Sequence, residues 1–142
     1  MICWARVCLA IAAIVCLSGA ASEQDKADCL RGTPDAKLRG CTAVIEDPGT
    51  NQNNRALSYT HRGIAHLQKR NADAAISDLT ESIRLNPQTS TAYAARGSAF
   101  LAKGDADRAL RDLDEALKRG NQSAQLYMDR GRETAPQFRT VR

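Results

Sequence analysis

A chain of 142 residues bounds the protein to one domain at most. Its 20 Lys and Arg face 16 Asp and Glu, a formal charge of +4 spread as a near-even mixture, which makes a solvated surface rather than a basic stripe for nucleic acid. Three Tyr, two Phe and one Trp, none flanking a basic cluster, exclude a base-stacking platform.

The first 21 residues read as a secretory signal peptide. Arg6 supplies the charged start, Val7 to Leu17 the apolar run, and Ser18, Gly19, Ala20 and Ala21 the small residues of a cleavage site after Ala20 or Ala21. The run falls well short of the ~20 residues a spanning helix needs, so no stable membrane insertion is expected once it is removed. Cys16 follows Val15 rather than a small residue, which argues against lipidation. With Arg6 removed, 19 basic residues face 16 acidic ones, a net of about +3. The localisation expected is exported, to periplasm or medium.

Cys3, Cys8 and Cys16 leave with the signal, and Cys29 and Cys41 remain. An even pair in an oxidising compartment reads as one disulfide. Two free thiols or a redox pair are the competing readings, and a separation of eleven residues is unlike the Cys-x-x-Cys of redox pairs.

Residues 22–34 are polar, with Gly32 and Pro34 as breakers, and are expected to form an irregular arm tied down through Cys29. Residues 35–46 read as a helix: Leu38, Cys41, Val44 and Ile45 share one stripe, Thr33 or Asp35 can cap its start, and Pro48-Gly49 ends it. After an asparagine-rich loop, with Asn53 or Asn54 as cap, residues 56–69 form a helix. Arg70-Asn71 turns, with Asn71 expected in the left-handed conformation, and residues 72–85 run back until Asn86-Pro87 stops them. Residues 91–103 and 106–118 repeat the script, capped by Thr89 or Ser90 and by Asp105, with Gly104 in the turn and Gly120-Asn121 at the end. A third copy opens at Gln122 and runs to about Glu133, before Pro136 and a tail over 134–142 without apolar periodicity.

The organising feature is a period of 34 residues. Tyr59, Arg62 and Gly63 return as Tyr93, Arg96 and Gly97 and again as Tyr127, Arg130 and Gly131; Ala75, Asp78 and Leu79 return as Ala109, Asp112 and Leu113. A fixed period of this size means stacked helix–turn–helix units. Glycine inside a helix costs about 1 kcal/mol relative to alanine, so three such glycines imply close approach of facing helices. Ala75 and Ala109 are the expected small partners, and the three tyrosines the large knobs beside them.

The chain resembles the tetratricopeptide repeat family. The first copy, 56–87, carries Tyr59, Arg62-Gly63, His66, Ala75, Leu79 and Pro87 at the family's signature offsets. The second, 90–121, carries Tyr93, Arg96-Gly97, Phe100, Ala109, Leu113 and Asn121, and 122–133 is a capping half-copy. Residues 35–47 look like the lone second helix of a degenerate preceding copy. The resemblance implies an all-α fold, a short right-handed α-solenoid of antiparallel helix pairs with about six helices beyond the signal. Arginine replaces the family's leucine at Arg62, Arg96 and Arg130. With Asp78 and Asp112 these predict an Arg–Asp ladder between helices, Arg96 reaching Asp78 or Asp112.

Nothing in the sequence points to catalysis, a cofactor or a metal. His61 and His66 stand five apart rather than at i,i+4 without an accompanying ligand cluster, and no phosphate loop, nucleophile elbow or Ser/His/Asp set is present. Asp105, Asp107, Asp112, Asp114 and Glu115 alternate with Arg108, Arg111 and Lys118 as an exposed, ion-paired face. The resemblance implies a non-enzymatic binding module whose first helices line a concave groove for a protein or peptide segment. By repeat position the groove would present Leu57, Thr60, Ile64 and Gln68, then Thr91, Ala94, Ala95, Ser98 and Ala102, then Met128, Asp129 and Arg132. The clamp with which some members hold a C-terminal carboxylate is not matched, because Ile64 and Ser98 stand where its asparagines would. The alternative is a structural subunit that stacks on a second copy through its solenoid ends.

Overall fold

The computed structural model describes residues 19–124, which form six α-helices and no strand: α1 (Glu23–Arg31), α2 (Pro34–Glu46), α3 (Gln52–Gln68), α4 (Ala72–Leu85), α5 (Ser90–Ala102) and α6 (Ala106–Lys118). They pack as three successive antiparallel hairpins, an all-α helical solenoid. The expected leader up to residue 18, and the expected third copy and tail from 125 onward, lie outside the described residues.

Short polar side chains start five of the helices. Ser22, Thr33, Asn51, Asn71 and Asp105 each accept a backbone N–H three residues on, which satisfies one of the orphan donors of a helix start. Thr89 stands at the start of α5 without such a bond. Asn51 therefore replaces Asn53 or Asn54 as the cap, and α3 begins a turn earlier than its apolar stripe implies. That extra turn is anchored by Gln52, whose Nε2 donates to the Leu85 carbonyl at 2.7 Å.

The arm expected over 22–34 is instead helix α1. It escaped the periodicity reading because Cys29 is its one buried residue, so it has no apolar stripe. Its signal is the capping box: Ser22 accepts the Asp25 N–H, and the Asp25 carboxylate accepts the Ser22 N–H at 2.9 Å. The segment 35–47 is accordingly not a lone half-repeat but the second helix of a full hairpin. Gly40 is the contact point, since a Cβ built there would lie 2.4 Å from the Asp25 carbonyl oxygen. The Cys29 and Cys41 sulfurs lie at bonding distance, 2.05 Å, with both residues buried.

Helices α3, α5 and α6 end alike. Asn71, Asp105 and Asn121 donate their N–H groups back to His66, Phe100 and Ala116, closing the last turn around a residue with positive φ. That residue is Arg70 (59°), Gly104 (78°) and Gly120 (80°) in turn. Arg70, not Asn71, thus takes the left-handed conformation, because Asn71 is engaged as the cap of α4. A non-glycine residue there costs about 1–2 kcal/mol. Arg70→Gly is therefore expected to stabilise the fold by about 0.5–1 kcal/mol, after the extra entropy glycine gives the unfolded chain, read as a raised urea midpoint.

Two small cores fill the hairpins. Ala75, Leu79, Ala92 and Ala99 form one, and Ala94, Leu113, Ala116 and Ala124 the other. The in-helix glycines make room for leucine rather than for the alanines the sequence suggests. A Cβ on Gly63 would lie 2.7 Å from Leu79 Cγ, and on Gly97 2.8 Å from Leu113 Cγ, while Ala75 and Ala109 offer only backbone oxygens at 3.4 and 3.2 Å. Tyr59 and Tyr93 are half-buried, their rings covered by the guanidinium groups of Arg62 at 5.3 Å and Arg96 at 5.8 Å. Tyr127 and Gly131 lie outside the described residues.

The arginines pair within their own repeat. Arg62 grips Asp78 through Nε and Nη2 at 2.8 Å each, and Arg96 grips Asp112 at 2.7 and 2.8 Å. The third guanidinium nitrogen reaches the preceding repeat: Arg62 Nη1 donates to Thr42 Oγ1 at 2.9 Å, and Arg96 Nη1 to Thr80 Oγ1 at 3.1 Å. Each arginine is therefore a three-helix tie. A second tie joins Lys69 to Asp35 and Lys103 to Asp73, again one hairpin to the one before. Arg130, the third arginine of the ladder, lies outside the described residues.

Candidate functional site

The first helices of the hairpins touch one another, α1 to α3 and α3 to α5, whereas the second helices α2, α4 and α6 touch only first helices. Close first helices and spread second helices bend the stack, with α1, α3 and α5 on the concave side.

Between α3 and α5 lies an open depression of about 550 Å³, lined by Ile64, Leu67, Gln68, Thr91, Ala94, Ala95, Ser98, Asn121 and Ser123. Six of the expected groove residues come together here: Ile64 and Gln68 from α3, and Thr91, Ala94, Ala95 and Ser98 from α5. Their spacing of three and four residues keeps them on one helix face. Ala94 is mostly core, only 6 % exposed. Ser98 donates its hydroxyl to the Ala94 carbonyl at 3.1 Å. No charged side chain lines this floor, so it suits an uncharged segment with small or apolar side chains.

Leu57 lies elsewhere, in a second depression of about 180 Å³ with Lys26, Leu30, Val44, Thr50 and Asn54. Ala102 borders a third with Leu67, Gln68, Arg70 and Ala72. Thr60 is not on the groove floor. It is buried, 1 % exposed, and its hydroxyl is shared between Ser82 Oγ at 2.7 Å and the Ala56 carbonyl at 3.2 Å. Met128, Asp129 and Arg132 lie outside the described residues. Among the lining residues outside the expected groove are Leu30 and Lys26, hidden in the supposed arm, Leu67 of α3, and Asn121 and Ser123, which enter from the turn after α6.

The histidines sit beside this scaffold. His66 Nε2 stands 3.8 Å from Asp78 Oδ2, yet burial outweighs that carboxylate and lowers its pKa, with Arg62 and Lys69 adding to the effect. Burial also lowers His61, helped by Lys37. The folded state thus resists protonating either ring, while the unfolded chain takes up protons near the ordinary pKa of about 6.5. Stability is full above that value and lost as pH falls towards the depressed folded values. Thermal melts at pH 7.5 and 5 should show a lower melting point in acid, and His61→Gln with His66→Gln should reduce the difference.

Among the described residues no group of three or more His, Cys, Asp or Glu is arranged to hold a metal, and no helix is long and apolar enough to cross a membrane. Residues 56–89 match the family model of the tetratricopeptide repeat. No curated protein matches the chain. Residues 56–89 thus carry a tetratricopeptide repeat, and the hairpin α5–α6 reproduces the glycine notch and arginine tie of the matched hairpin α3–α4.

Proposed function

We propose that the protein is an exported, non-enzymatic interaction module that takes an extended protein or peptide segment along its concave face. The observation that carries this reading is the uncharged depression between α3 and α5, continued towards α1 by the second one. Leu30 and Leu57 are the large apolar side chains most open to water among the described residues, 48 % and 42 % exposed, and both line that second depression. Apolar surface gathered on the groove side favours segment binding over stacking through the solenoid ends. Export is supported by the leader-like first 21 residues and by the even pair Cys29 and Cys41, which an oxidising compartment would keep bridged.

The mature chain used as bait in its native compartment should capture a protein through this face. Ala95→Glu places a carboxylate on the uncharged floor and should weaken capture about tenfold or more, with helical content by circular dichroism unchanged. Undiminished capture by the folded variant would remove the groove from the reading.

A further inference from the structure

The sequence leaves cleavage after Ala20 or Ala21 open, and the surroundings of Ala21 separate the two. Its backbone N–H donates to Asp47 Oδ2 at 3.1 Å, twenty-six residues along the chain, and Ala21 is half-buried. Gly19 and Ala20 are exposed, and a Cβ on Gly19 would meet nothing within 4 Å. Asp47 closes α2 and is only 9 % exposed. Its other carboxylate oxygen accepts the Gly49 N–H at 2.8 Å. Both donors are neutral. The nearby Arg55 spends its Nη2 on the Asp47 backbone carbonyl at 3.1 Å, and the described side chains give the carboxylate no ion pair. Lys26 of α1 and Arg55 of α3 act on this carboxylate from beyond ion-pair distance, so its direct partners are two neutral donors, and a charged donor makes the stronger bond.

We propose that the Ala20–Ala21 peptide bond is the processing site, and that the ammonium released at Ala21 is the built-in partner of Asp47. Hydrolysis breaks the C–N bond. The oxygen of water stays on Ala20 as a carboxylate, and the amide nitrogen leaves on Ala21 and takes up protons to become the ammonium. The nitrogen already sits at hydrogen-bond distance from Oδ2, so the charge arrives without rearrangement. Small residues, Ser18 and Ala20, stand three and one positions before the cut. Cleavage one residue later would instead remove the link to Asp47. It would put the ammonium on Ser22, beside the Asp25 carboxylate that already takes its N–H in the capping box, and leave the more buried Asp47 without a charged donor. The pair ties the start of α1 to the end of α2, the open end of a hairpin that Cys29 and Cys41 hold further along, and so fixes the groove wall bearing Lys26 and Leu30. This assignment rests on the exported reading.

The test begins with the 142-residue precursor, produced in a bacterium that exports it, and the intact mass of the released form. A chain starting at Ala21 supports the site; one starting at Ser22 overturns it. A precursor left uncut overturns the exported reading and the site with it. The pairing is then measured on chains starting at Gly19, at Ala21 and at acetylated Ala21, each freed from a removable fusion. The free Ala21 chain should melt about 4 °C above the other two at pH 7. That lead should disappear in Asp47→Asn, and it should fade above about pH 8, where a free α-amine loses its proton. Equal melting of all three chains overturns the pairing alone.

Discussion

Asp78→Ala should lower the stability of the fold by about 3 kcal/mol, the low end of what breaking a buried ion pair costs. The side chains of Arg62 and Asp78 are 19 % and 10 % exposed, so the guanidinium left behind would keep only Thr42 Oγ1 and the Tyr59 ring as partners. The loss comes from the stranded charge rather than from the worth of the pair. Arg62→Met combined with Asp78→Leu should therefore recover most of it. Urea unfolding of the single and double variants measures this directly, and the coupling should survive high salt because the pair is screened little. Lys118 and Asp114, 63 % and 52 % exposed, provide the contrast: Asp114→Ala should leave the melting point unchanged. If Asp78→Ala melts like the parent at low and high salt, the arginine tie is not what sets the repeats against each other.

The repeat was legible because its residues do one job at one distance. Arg62 must meet Asp78 and Gly63 must admit Leu79, so the same types return at Arg96, Asp112, Gly97 and Leu113. What these residues contact across the helix was less legible. Period alone pairs small with small, whereas the packing puts a buried leucine into each glycine notch. Helix α1 was invisible for a different reason. It docks through one cysteine and the bare backbone of Gly40, and neither makes a stripe. Thr60 shows the limit on the groove side. A threonine in a helix reads as surface, but here Ser82 and the Ala56 carbonyl satisfy its hydroxyl in the interior. The groove floor is drawn from α3, α5 and the turn after α6, so its outline depends on how hairpins stack, which no single segment encodes.

Gly40→Ala should disrupt the N-terminal hairpin by driving a methyl into the backbone of α1. The added carbon would sit 2.4 Å from the Asp25 carbonyl oxygen, 2.8 Å from the Cys29 nitrogen and 2.9 Å from Asp28 Cβ. Two of these are backbone atoms of α1, which cannot swing aside as the end of a side chain can. At the next residue the Cα atoms of Cys41 and Cys29 lie 4.5 Å apart, so α1 sits against α2 with no slack there. Overpacking of this kind costs about 3 kcal/mol, against about 1 kcal/mol gained by replacing a helical glycine, so a net loss of about 2 kcal/mol is expected. The loss should be local. Because α1 buries only Cys29, amide hydrogen exchange should speed up across Glu23–Arg31, while the hairpins from Gln52 to Lys118 keep their protection. Loosening α1 also moves Lys26 and Leu30, so the depression they share with Leu57 should lose its wall while the one between α3 and α5 remains. Unchanged exchange in α1 would mean that the hairpin yields at Gly40 by more than the clash demands. The N-terminal end of the groove would then be a soft wall rather than a fixed one.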